Sequence, residues 1–239
     1  MIKSGIAFKR IVQMMGCVWV TLCLSVLVSP VRATIIVGEI DWNTPETSST
    51  FSSQYGSTVV DYPSTGGSPS TGGWMRIEFP ETTSEPGTDW YDVLRVPATN
   101  LFTGSWDTQM WVQFDFWQSN LVAGAVQIRW GTTNAGAGVW RSPVTIPSGL
   151  DTWTTVASSF NNWQNWQYPG ATEAQYLADL QNIDWVGVYI FRNTGDEQIY
   201  GIDNFRLMIP EPAELLMLVS AVLASGLSAR RRRRRKYPG

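Results

Sequence analysis

Between residues 109 and 118 the chain alternates strictly. Met110, Val112, Phe114 and Phe116 fall on one side of an extended segment, and Trp111, Gln113, Asp115 and Trp117 on the other. A period of two fits a β-strand and excludes a helix, which returns to one face only every ~3.6 residues. The all-apolar side must find a core, so a second layer has to cover it. Six further segments carry the same signs: residues 74–79, 90–96, 125–130, 152–160, 185–192 and 198–207. Each is short and rich in Val, Ile, Thr or aromatics, and turn residues bound most of them. Only residues 172–182 suggest a helix, opened by Thr172-x-x-Gln175, with Ala174, Leu177, Ala178 and Leu180 expected on one side. Strands of this number and length predict an all-β, jelly-roll-like sandwich of two sheets with one short helix. The stretch over residues 34–73 is rich in Ser, Thr, Gly and Pro, and its echo of Ser64-Thr65-Gly66-Gly67 by Ser70-Thr71-Gly72-Gly73 reads as a flexible loop between early strands.

The ends do not belong to that sandwich. Lys3, Lys9 and Arg10 precede an apolar run over residues 11–28, then Ser29-Pro30, then the small residues Val31 and Ala33. This is the pattern of a secretory signal peptide over residues 1–33, cut after Ala33, although the run is long enough for an uncleaved anchor. At the other end stand Pro210, Glu211 and Pro212. Seventeen residues follow, 213–229, with Glu214 as their only charge. Then come Arg230, Arg231, Arg232, Arg233, Arg234, Arg235 and Lys236. The prolines keep the motif extended. The apolar run spans about 25 Å as a helix, marginal for a hydrocarbon core of about 30 Å. The basic run favours a cytoplasmic C-terminus. The expected domains are therefore residues 1–33, 34–209 and 210–236.

Motif, apolar segment and basic cluster in this order resemble the PEP-CTERM sorting signal of exosortase substrates. Ile209 stands where Val usually precedes the motif, and Tyr237-Pro238-Gly239 extend past the basic cluster. The resemblance covers about the last thirty residues. It implies signal peptidase and exosortase as processing partners. It also implies a protein held in the membrane by its C-terminal helix before processing, and then placed at the cell surface or outside the cell.

Removing the ends changes the chemistry of what remains. Both cysteines, Cys17 and Cys23, lie in the signal segment, and the chain has no histidine. Disulfides, Cys/His metal sites and Ser-His-Asp or Cys-His catalysis are excluded from the domain. Its basic residues are six arginines against eighteen acids, a net charge of −12 rather than the −3 of the whole chain. Such a domain repels nucleic acid and tolerates cations. Only a carboxylate pair could support an enzyme, as in glycosidases. Glu78, Asp89, Asp92, Asp115 and Asp184 are available, but no spacing singles out a pair, and the expected role is non-catalytic.

Two sites are expected. If Trp111, Gln113, Asp115 and Trp117 share a face with Gln127 and Arg129 of the next strand, they form a platform for a polysaccharide. Indole rings would stack on sugar C–H groups, and amide, carboxylate and guanidinium groups would hold hydroxyls. Coverage of these tryptophans by loops or by the helix is the competing expectation. It would leave a structural or adhesive matrix protein without a glycan site. Second, residues 198–207 resemble the last strand of jelly-roll carbohydrate-binding modules, where an Asp often ligates structural calcium. The resemblance implies Asp203 as ligand, with Glu39 from the first strand as partner, and calcium prefers oxygen donors.

Overall fold

The outer-face and core-face alternation of residues 109–118 is realised in a strand that lies inside one of two antiparallel sheets. The computed structural model describes residues 34–43, 51–69, 72–96, 102–132 and 138–210. The signal segment, Glu211, Pro212, the apolar tail and the basic run lie outside the described residues. In chain order the elements are β1 (Thr34–Ile40), β2 (Ser52–Ser53), β3 (Val59–Asp61), β4 (Met75–Phe79), β5 (Tyr91–Arg95) and β6 (Trp111–Gln118). They continue with β7 (Ala125–Gly131), β8 (Val139–Pro143), β9 (Thr154–Ser159), α1 (Glu173–Leu180), β10 (Trp185–Phe191) and β11 (Gln198–Pro210). Sheet I runs β3-β4-β11-β6-β9, with β1 also paired to β11. Sheet II runs β2-β5-β10-β7-β8. Every pairing is antiparallel. All seven predicted strands form.

Long β11 is shared along one edge by two partners. β4 pairs with residues 198–202 and β1 with residues 205–210. Between them the register against β6 passes from Asp203↔Asp115 to Arg206↔Gln113, so β11 carries one extra residue there. Asn204 absorbs it with a φ of +51°, a conformation its short polar side chain tolerates, and the strand bulges.

Val112, Phe114 and Phe116 of β6 are buried against Phe205 and Tyr200 of β11, with Phe114 and Phe205 stacked at 6.0 Å and Phe116 and Tyr200 at 5.9 Å. A second aromatic group joins Trp130, Trp140, Phe160, Trp166 and Tyr176. Its tightest pair is Phe160 on Trp166, 4.9 Å apart and nearly parallel. Each such side chain removed from water stabilises the fold by roughly 1.5–3 kcal/mol.

One expectation is corrected. Helix α1 forms, and Thr172 Oγ1 accepts the Gln175 N–H as expected of the cap. However, it buries Tyr176, Asp179 and Leu180, while Leu177 is 44% exposed. The inward stripe is set by what the core supplies: Asp179 Oδ2 accepts the buried Trp140 Nε1–H at 2.9 Å, and the Tyr176 hydroxyl donates to Phe160 O. The echo over residues 64–73, expected as a flexible loop between early strands, does lie between β3 and β4. Its glycine-rich turn is tied down. Ser68 N–H donates to Asp203, and the Trp74 and Trp153 indoles donate to Thr65 O and Gly66 O. Among the described residues no helix is long and apolar enough to cross a membrane.

Candidate functional site

The sandwich has two outward faces, and the six residues expected to form one platform are divided between them. Trp111, Gln113, Asp115 and Trp117 lie on the outward side of β6 in sheet I, whereas Gln127 and Arg129 lie on the outward side of β7 in sheet II. Strands that follow each other in sequence often pair, but here the chain crosses to the other sheet. The buried Gln118 amide fixes the crossing: Oε1 accepts Ala123 N–H at 2.9 Å and Nε2 donates to Pro147 O at 2.7 Å.

On sheet I, Trp117 is one of three packed tryptophans. Trp74 meets Trp117 and Trp153 nearly edge to face, at 5.5 and 5.6 Å. They close over Gly201, where a Cβ would meet Trp153 at 2.8 Å and Trp74 at 2.9 Å. With two of the three indole N–H groups bonded to the 65–66 turn, this cluster is the roof of sheet I. Asp115 is buried beside it and accepts from Thr155 Oγ1 at 2.6 Å and Asn204 Nδ2 at 2.8 Å. Trp117 is half-buried and packs on Trp74 and Trp153, which carry the bonds to the 65–66 turn.

Next to that roof lies Asp203, 2% exposed. Burial, with Asp115 and Asp41 nearby, pushes its carboxyl up to about 7, against the opposing hydrogen bonds from Asn204 and Ser68 N–H. Glu39, its expected partner for calcium, is turned to Arg206, with Nε to Oε1 at 2.5 Å. Among the described residues no group of three or more acids, histidines or cysteines is placed to hold a metal. For Asp203 and Glu39 to hold a cation together, Glu39 would first have to exchange its arginine.

Sheet II presents a different surface. Val186, Val188 and Ile190 of β10 enter the core, so Trp185, Gly187, Tyr189 and Phe191 face out. Across the sheet Tyr189 lies between Val93 and Gln127, and Gly187 between Arg95 and Arg129. Tyr91 leans on Tyr189 at 5.5 Å and meets the 44%-exposed Tyr55 edge to face at 5.0 Å. The Arg129 guanidinium lies 3.5 Å over the Tyr189 ring, and that of Arg95 3.9 Å over Trp185. Each arginine is oriented through Nε, Arg129 to Gln127 Oε1 at 2.9 Å and Arg95 to Gln54 Oε1 at 3.0 Å. Burial pushes Arg129 down to about 10, and the neighbouring Arg141 acts in the same direction. Gly187 is required in the middle of this row, because a Cβ there would stand 2.5 Å from Leu94 O. Gly187, itself buried, thus places no side chain between the two guanidinium-bearing strands.

The loop that carries Tyr55 is held from beneath by Asp92, which is fully buried. Oδ1 accepts three backbone N–H groups, from Gln54 at 3.1 Å, Tyr55 at 3.1 Å and Val93 at 2.7 Å. Oδ2 accepts the Ser53 and Thr58 hydroxyls. Thus one candidate catalytic acid is a structural anchor. Glu78 is paired with Arg76 and Asp89 is held low by hydroxyl hydrogen bonds from the 82–84 turn. Neither these nor Asp115 lies on the outward face of sheet II. The sequence reading placed Gln127 and Arg129 in a site but missed Tyr55, Tyr91, Tyr189, Trp185 and Arg95. The signal for two of them was the alternation Trp185-x-Gly187-x-Tyr189 in a strand already identified.

The two-sheet antiparallel sandwich has counterparts of similar fold among solved structures. The chain is similar to the family 11 carbohydrate-binding module of a cellulosomal cellulase of Clostridium thermocellum, with 20% identity over 74% of this chain and 96% of that one, TM-score 0.46. It is also similar to a xylan-binding domain from Paenibacillus barcinonensis, with 8% identity over 76% and 98% of the two chains, TM-score 0.48. An exo-β-agarase matches at 13% identity and TM-score 0.51 over 72% of this chain, which spans 24% of that enzyme. At this identity the likeness is one of fold. No protein-family model matches the sequence, and no curated protein matches it.

Proposed function

We propose that residues 34–209 form a non-catalytic glycan-binding domain that binds across the outward face of sheet II. The observation that carries this reading is the pair of Tyr55 and Tyr91 beside Arg95, Arg129 and Gln127. Flat rings and directed donors on a rigid sheet are what a sugar chain needs, one for its C–H faces and the other for its hydroxyls. The platform expected on Trp111, Gln113, Asp115 and Trp117 is given up in favour of this face, since Trp117 is packed and Asp115 committed. The sorting tail supports the location: export by signal peptidase, recognition by exosortase at Pro210, Glu211 and Pro212, and display at the cell surface or in the extracellular matrix. Calcium at Asp203 is proposed as a structural ion, apart from the glycan face.

The test is affinity electrophoresis of the purified full-length chain through gels containing a panel of polysaccharides. Tyr55→Ala combined with Tyr91→Ala is expected to abolish retardation while leaving the melting temperature within a few degrees. Trp117→Ala is expected to keep retardation. The opposite pattern would return the site to sheet I, and no retardation in any gel would leave a structural matrix protein.

A further inference from the structure

We infer that the ligand of this face is an anionic polysaccharide, whose carboxylate or sulfate groups are taken by Arg95, Arg129 and Arg141. This rests on the glycan-binding face proposed above and names its substrate class. The domain has six arginines and no lysine. Three are committed to the fold: Arg76 pairs with Glu78 and Asp61, Arg206 with Glu39, and buried Arg192 donates to the carbonyls of Pro80, Thr194, Gly195 and Asp196. The other three all stand on the outward face of sheet II, in one row with Gly187 between Arg95 and Arg129. None of them forms an ion pair among the described residues.

Placement makes this row costly. Arg129 and Arg141 are directly opposite on β7 and β8, a like-charge cross-strand pair that destabilises a sheet unless something neutralises it. Among the described residues, the outward positions of β5, β7, β8 and β10 include neither Asp nor Glu to offset them. Five of the domain's eighteen acids, Glu39, Asp61, Glu78, Asp115 and Asp203, lie on sheet I. A neutral sugar would also find two of the best stacking rings occupied, since guanidinium groups cover Tyr189 and Trp185. With Nε bonded to a glutamine, each guanidinium still carries two NH2 groups, Arg129 also hydrogen-bonding Tyr189, and such a planar fork matches a carboxylate or a sulfate. Tyr55 and Tyr91 are left for the sugar ring itself.

The experiment compares the full-length chain with Arg95→Gln, Arg129→Gln and Arg141→Gln in gels containing alginate, dextran sulfate or neutral dextran. The basic tail is common to all four proteins, so differences between them report the face alone. Retardation is expected in alginate, dextran sulfate or both, the pattern telling carboxylate from sulfate, with none in dextran. Each substitution is expected to weaken it about tenfold. Arg141 is exposed, so its variant keeps the test readable if a stacked arginine proves necessary for folding. Equal retardation by dextran, or arginine variants that bind like the parent, overturns the inference. If binding then still depends on Tyr55 and Tyr91, the glycan face stands with a neutral ligand. If no polymer is retarded, both readings fall.

Discussion

Asp92 joins the stability of sheet II to its binding face, and its two oxygens give separable predictions. Asp92→Ala removes the acceptor of five donors, three backbone N–H groups on Oδ1 and two hydroxyls on Oδ2. A hydrogen bond to a charged acceptor contributes about 1.5–3 kcal/mol, and a stranded buried N–H costs about 1–3 kcal/mol. The donors do not all stay buried, because Gln54 and Tyr55 are exposed and regain water once the loop detaches. The stranded group is Val93 N–H, beneath the sheet. A global loss of about 2–4 kcal/mol follows, smaller than a sum over five bonds. Asp92→Asn should behave quite differently. Its Oδ1 still accepts all three backbone groups, and its Nδ2 faces two hydroxyls that rotate from donor to acceptor. A loss of about 1 kcal/mol is expected there. Urea denaturation of the full-length chain measures both, and affinity electrophoresis reads the position of Tyr55. The alanine variant should lose binding under conditions where it is still folded, and the asparagine variant should retain it. Equal destabilisation by both, or binding that survives detachment of the loop, would refute the argument.

Asp203 predicts a pH dependence. Its carboxyl is raised to about 7 in the folded state, so from about pH 4 to pH 7 the native protein holds a proton that the unfolded chain releases. Stability should therefore fall as pH rises through that window, by at most about 4 kcal/mol, and then level off, and Asp203→Asn should flatten the profile. A profile that rises from pH 4 to 7 in both proteins would dispose of this account. If calcium is held at Asp203, adding a chelator at pH 7.5 should lower the melting temperature, and adding calcium should remove the fall with pH. An unchanged melting temperature counts against the ion.

How much of this was legible in the sequence depends on which level of structure carried the signal. Residues 111–118 announce a strand and its core face because period two is a local property. The same holds for residues 185–191, where Trp185, Gly187 and Tyr189 alternate with Val186 and Val188. Which outward faces meet is not local. Residues 118 and 125 are close in sequence, yet the next strand enters the other sheet, with the buried Gln118 amide bonded to Ala123 and Pro147 at the crossing. Gln127 and Arg129 were thus joined on chemical type to residues that lie on the other sheet. Short edge strands such as β2 and β3 have too few residues to show a period, and the turn at residues 65–68 is held by Trp74, Trp153 and Asp203, all distant in sequence. Composition predicts mobility there, and tertiary hydrogen bonds overrule it.

Net charge illustrates the same limit, and it bears on the ligand. A domain at −12 would be expected to repel an anionic polymer. Repulsion between exposed charges is screened within about 8–10 Å at physiological ionic strength, so a bound chain responds mainly to the charges beneath it. Beneath a ligand on sheet II lie Arg95, Arg129 and Arg141, with the acids of sheet I on the opposite side of the sandwich. Two sheets about 10 Å apart separate the two populations by roughly the screening distance. If a polyanion binds, the average charge governs how fast it approaches, and the local charges govern whether it stays. Guanidinium groups over aromatic rings on one face, and five acids beside a tryptophan cluster on the other, set the two kinds of charge on opposite sides of the sandwich.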